Sequence, residues 1–116
     1  MSKTDPVKAA RDASEAIRKL NHATIDYRDP VSAPRISSVV HALFELANRL
    51  PQALEQLDAQ LQGRLAEGGI RMDTGEKPED AVADARAGLA DALHAADDLA
   101  RSLNRVAGVT FHMASR

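Results

Sequence analysis

The amino-acid sequence predicts an all-α fold, an antiparallel three-helix bundle in which long helices 2 and 3 form a coiled-coil-like hairpin. Three observations carry this. Apolar residues recur at alternating spacings of three and four over three long stretches, the period of a helix face and not of a strand. Pro and Gly gather mainly at two places between those stretches, where they act as punctuation. The apolar residues are overwhelmingly Ala, Leu, Val and Ile, with aromatics at 3% and no Trp, and Ala and Leu are strong helix formers. At 116 residues the chain suits one domain.

Helix 1 is expected over about residues 6–26. Thr4 or Asp5 can cap it, and Pro6 fits the first helical position, where an amide hydrogen would lack a partner anyway. Ala10, Ala13, Ile17, Leu20, Thr24 and Tyr27 form its seam. Arg11, Glu15 and Lys19 form a charged row at i, i+4. Pro30 and Pro34 then disfavour helical backbone at the residues before them and mark the first turn.

Helix 2 is expected over about residues 34–67. Its seam reads Ile36, Val40, Leu43, Ala47, Leu50, Leu54, Leu57 and Leu61. Pro51 lies in the middle, yet the heptad phase continues past it, which predicts one helix kinked at Pro51 and not two helices. Gly68-Gly69 ends it. Helix 3 is expected over about residues 78–107, with Pro78 at its start, Glu79 and Asp80 in its first turn, and Arg101 and Arg105 in its last. Its seam reads Val82, Ala85, Leu89, Ala92, Ala96, Leu99, Leu103 and Val106, and Gly108 is expected to stop it.

Stripe width suggests how the helices assemble. The stripe is broad early in helix 2, where Val39, Phe44 and Leu46 flank the seam, and late in helix 3. These halves coincide in an antiparallel hairpin. Helix 1, at roughly 31 Å against roughly 50 Å for helix 2, is expected to dock there and leave a projecting two-helix arm. Such an arm would bury its seam incompletely. The expected remedy is a homodimer through the arm, with Leu54, Leu57, Leu61, Leu65, Ile70, Met72 and Val82 as interaction residues. Phe111 and Met113 in the C-terminal tail join them, either folding back near Tyr27 and Ile36 as a cap or inserting into a partner.

Charge and motifs narrow the function. The formal net charge is −2, which argues against a general nucleic-acid binder. Residues 67–98 hold nine acidic and three basic residues, so an acidic surface on the arm is a solvated helix face or a docking site for a basic partner. The absence of Cys excludes disulfides, Cys-ligated zinc and thiol nucleophiles. Residues 1–5 carry no apolar run of a signal peptide, and no stretch approaches the ~20 apolar residues of a membrane span, so a cytoplasmic location is expected. His41 with Glu45, and Asp91 with His94 and Asp98, have metal-ligand spacings, but both histidines fall outside the seams where a bundle site projects its ligands. Neither a nucleophile elbow nor a phosphate loop occurs. No catalytic residue, metal or cofactor is expected.

Two stretches, Asn21-His22-Ala23-Thr24 and Leu50-Pro51-Gln52-Ala53-Leu54-Glu55-Gln56-Leu57, resemble small uncharacterised all-helical proteins found in actinobacteria. The likeness covers about a tenth of the chain and implies no activity. Size and hairpin character are also similar to those of small secretion proteins whose two helices meet at a Trp-x-Gly turn, but this chain has no Trp. The reading that results is a non-catalytic helical interaction module, homodimeric and serving as a scaffold or regulatory accessory to an unidentified protein. Binding of a small apolar ligand between the helices, or association with DNA, are the alternatives.

Overall fold

A computed structural model describes residues 4–116. The described chain is all-helical: α1 spans Pro6–Thr24, α2 Ala33–Ala66 and α3 Pro78–Thr110. It divides into two compact units, one ending at Ser32 and one beginning at Ala33.

The first unit is α1 and the turn after it. Asp5 caps the helix by accepting the Val7 amide at 3.0 Å, with Pro6 at the first helical position. Ile17 and Leu20 are half-buried, and no side chain of α1 is fully buried. The expected Arg11–Glu15–Lys19 row does not form. Glu15 instead receives two hydrogen bonds from Arg18, at 2.6 and 2.9 Å, and Lys8 pairs with Asp12 at 2.7 Å. The planar guanidinium engages both carboxylate oxygens at once, which a single lysine ammonium cannot match. After the helix, Asp26 accepts the Arg28 amide at 2.9 Å and closes the turn.

The second unit is the α2–α3 hairpin. The α2 helix runs unbroken through Pro51, as the continuous heptad phase predicts. It ends in a Schellman motif. Gly68 adopts φ +71°, the Gly69 amide donates to the Arg64 carbonyl at 2.8 Å, and the Gly68 amide donates to Leu65 at 3.0 Å. These bonds take up carbonyls that the helix end would leave unpaired.

The α3 helix begins at Pro78 with Glu79 and Asp80 in its first turn. Its end differs from expectation. Gly108 does not stop it; the helix continues to Thr110, and the Phe111 amide still donates to Ala107 at 3.0 Å. A helical Gly costs about 1 kcal/mol relative to Ala, and the burial of Thr110 at the far side of Gly108 offsets it. Arg101 and Arg105 therefore lie within the helix and not in its last turn, which holds no basic residue.

The pairing of the two helices is antiparallel and close to level. Ser37, Ser38 and His41 share a groove with Ala107 and Phe111. Phe44 and Asn48 share one with Asp97, Ala100, Arg101 and Asn104. Leu54, Glu55 and Asp58 face Arg86, Leu89, Ala90 and Leu93. The buried apolar residues are Ala47, Val82, Ala96 and Ala100. Small side chains at the contact let the helix axes approach closely.

The seam keeps its heptad period, but half of its expected positions move by one residue. On α2 the buried and half-buried row is Ser37, Val40, Phe44, Ala47, Pro51, Leu54, Asp58 and Leu61. On α3 it is Val82, Leu89, Leu93, Ala96, Ala100, Leu103, Ala107 and Thr110. Val40, Ala47, Leu54 and Leu61 stay as predicted. Ile36, Leu50 and Leu57 leave the seam for the surface, as do Leu99 and Val106 on α3. The broad stripe contains two overlapping heptad rows that share Val40, Ala47, Leu54 and Leu61, and on α2 the contact uses Ser37, Phe44, Pro51 and Asp58 in place of Ile36, Leu43, Leu50 and Leu57.

Candidate functional site: an apolar face on the hairpin

The shift of the seam creates the most prominent surface of the hairpin. In two antiparallel right-handed helices, residues one position before the seam on each helix lie on the same side of the pair, because each residue advances about 100°. On α2 those positions are Ile36, Leu43, Leu50 and Leu57, with Val39, Leu46 and Ala53 further out. On α3 they are Ala85, Ala92, Leu99 and Val106, with Gly88 and Ala95 further out. Ile36 is 45% exposed, Leu57 55%, Leu99 47% and Val106 43%; Leu46 and Leu50 are exposed as well. The opposite side of the hairpin carries His41, Asn48, Glu55 and Gln62 on α2 and Asp97, Arg101 and Asn104 on α3. One face of the hairpin is therefore apolar and the other polar.

The polar side is locked by one ion pair. Arg86 Nε donates to Asp58 Oδ1 at 2.8 Å, and Gln62 donates to Asp58 Oδ2 at 2.9 Å. The Arg86 guanidinium holds the Asp58 carboxyl below its ordinary value, the more so because Gln62 also donates to it. Beside the pair lies an open groove of about 200 Å³, lined by Leu54, Leu89, Ala90 and Leu93. It is smaller than the roughly 300–1,000 Å³ of typical small-molecule sites.

The structure disperses the residues that the sequence assigns to an arm interface. Val82 is 4% exposed and belongs to the hairpin's own core, so it is not open to a partner. Leu54, Leu61 and Leu65 are half-buried along the same contact, and Ile70 and Met72 are half-buried in the connecting turn. The row that faces α3 along the arm runs from Leu54 to Leu65, and its leucines stay half-buried there. Leu57 alone of the arm residues is strongly exposed, and it belongs to the apolar face. Phe111 is 77% exposed and Met113 48%, and Phe111 lines a groove with Ser37, Ser38 and His41 near the start of α2. Phe111 stacks edge-on against His112 at 5.4 Å.

Candidate metal chemistry does not assemble. His41 is exposed and lies 2.9 Å from Glu45, and His94 is exposed on α3. Among the described residues no three His, Asp or Glu side chains converge. Asp98 pairs with Arg101 on the surface of α3. No helix among the described residues is long and apolar enough to cross a membrane. The chain matches no family model, and no curated protein or solved structure is significantly similar to it.

The sequence misses this face although its residues are legible. Leu50, Leu57, Leu99 and Val106 stand in the predicted seam, and the signal that could have separated them is the breadth of the stripe. The α2–α3 contact uses one heptad row on each helix, and a broad stripe holds a second.

Proposed function

We propose that this protein is a non-catalytic interaction module that binds amphipathic helices on the apolar face of its hairpin, and that it acts as a scaffold or regulatory accessory in the cytoplasm. The observation that carries the reading is the one-sided distribution of large apolar side chains. Ile36, Leu46, Leu50, Leu57, Leu99 and Val106 are exposed along one face, and together they leave on the order of 500 Å² of apolar area open, at the size that marks interaction sites on soluble proteins. The face is linear and bounded by two helices, the geometry that accepts a third helix by ridge-and-groove packing.

The test is a capture experiment from the native cell with the full chain and with the doubly substituted Leu50→Glu/Leu99→Glu chain, whose helix content is checked by circular dichroism. Proteins retained by the native chain and lost by the variant support the reading. Retention of the same proteins by both chains counts against it, as does turnover of any substrate.

A further inference from the structure

The apolar face is flanked by charge of opposite sign on its two sides. Along the outer margin of α2, at heptad spacing, stand Arg35, Ala42 and Arg49. Along the outer margin of α3, at the same spacing, stand Asp84, Asp91, Asp98 and Arg105. The margin of α2 is basic, and that of α3 is acidic over most of its length. The two margins are too far apart to neutralise each other within one hairpin, since the apolar face lies between them.

We propose that the occupant of this face is a second copy of the same hairpin, related by a two-fold axis that runs parallel to the helices. The inference rests on the reading of the face as a helix-binding surface and names its partner. Such an axis places α2 of each copy against α3 of the other and keeps every residue at its own level along the bundle. Each neighbouring pair of helices is then antiparallel, giving a four-helix bundle. The level is set by the hairpin itself: Asn48 shares a groove with Asp97, so Arg49 of one copy comes level with Ala96 of the other. Asp98, paired with Arg101 within one hairpin, stands about 3 Å further along the axis, within reach of the long arginine side chain. Symmetry repeats the contact twice. Arg105, the one base of the acidic margin, comes level with Val39 and Val40 and meets no like charge there. An axis perpendicular to the helices would stack α2 on α2 and α3 on α3, bringing like-charged margins together.

Area and packing favour the same occupant. The exposed apolar area with its polar rim approaches the roughly 800 Å² per partner of a stable interface. The hairpin has no large side chain that is fully buried, so the seam between α2 and α3 leaves most of the larger Leu, Ile and Val side chains only half-covered. On the α3 side of the face Ala85, Gly88, Ala92 and Ala95 are small, which leaves room for the Leu50 and Leu57 side chains of the opposing α2.

The experiment is sedimentation of the full chain at about 10 micromolar, a concentration at which interfaces of this size are populated. The expected result is a dimer. Arg49→Asp and Asp98→Arg, each alone, place like charges at both copies of the contact and are expected to weaken the dimer by roughly tenfold or more. Mixing the two variants in equal amounts restores opposite charges at both contacts and is expected to restore the dimer. Circular dichroism checks that each variant keeps its helix content. A native chain that stays monomeric overturns the proposal, and so does a mixture that dimerises no better than its components. A monomer whose capture of other proteins is still lost on Leu50→Glu/Leu99→Glu overturns the second copy as occupant while leaving the helix-binding reading intact.

Discussion

Arg86 and Asp58, 28 residues apart in the chain, meet at 2.8 Å across the α2–α3 contact, and they do so at positions where an unshifted seam would place Ala85 and Leu57. The ion pair sits in the facing row on the polar side of the hairpin, with Asp58 the more covered partner at 28% side-chain exposure. It therefore reports the rotation of both helices.

The pair should make part of the stability depend on pH. The folded Asp58 carboxyl is depressed, chiefly by its hydrogen bond from Arg86, so the unfolded state binds its proton more readily. Its contribution is fully present above the carboxyl's unfolded value and is lost as pH falls through the lower folded value. Asp58→Asn should remove this component and flatten the acid limb of a melting-temperature profile. In Arg86→Ala, the Asp58 carboxyl followed by nuclear magnetic resonance should return toward the ordinary range. An unmoved Asp58 titration would show that the pair does not form in solution.

Pro51 should be replaceable with a gain in stability. A helix-interior Pro costs about 3 kcal/mol relative to Ala, and the ring at this half-buried position returns about 1 kcal/mol of burial. Pro51→Ala restores an amide donor to the Ala47 carbonyl and should stabilise the chain by roughly 1–2 kcal/mol in denaturant unfolding. A loss of stability would mean that the contact with α3 requires the local geometry that Pro51 imposes.

Gly63 within α2 and Gly68 just past its end should respond with opposite sign. Gly68 has φ +71° and open space around the position of a Cβ, so Gly68→Ala meets only backbone strain and should cost about 1–2 kcal/mol. Gly63 lies inside the helix with equally open space, and Gly63→Ala should gain about 0.5–1 kcal/mol. Thermal unfolding of the two variants side by side checks this. Equal effects would contradict the Schellman ending at Gly68.

Much of the local structure was legible because it depends on groups near in sequence. Asp5 followed by Pro6 marked the start of α1, and Gly68-Gly69 marked the end of α2, since a cap or a left-handed residue acts within one turn. The continuity of α2 through Pro51 was legible for a different reason: the heptad phase carries across the proline. The end of α3 was not, because Gly108 is a stop only where nothing beyond it packs, and Thr110 beyond it is buried.

The candidate site was only half legible. Leu50, Leu57, Leu99 and Val106 were recognisable as apolar positions on the right helices, but their row had no unique partner. A stripe that includes Ile36, Ser37, Val40, Leu43, Phe44 and Ala47 contains two heptad rows, and each alone satisfies the spacing rule.

By itself the sequence determined the three helices, the start of α1, the end of α2 and the heptad period, since these follow from propensity, hydrogen-bond supply and spacing along one chain. The tertiary structure decided which of two overlapping rows faces the neighbouring helix. That choice turns on close packing: Ala47, Ala96 and Ala100 in the contact row let α2 and α3 approach, Arg86 reaches Asp58, and Ile36, Leu50, Leu57, Leu99 and Val106 are left exposed.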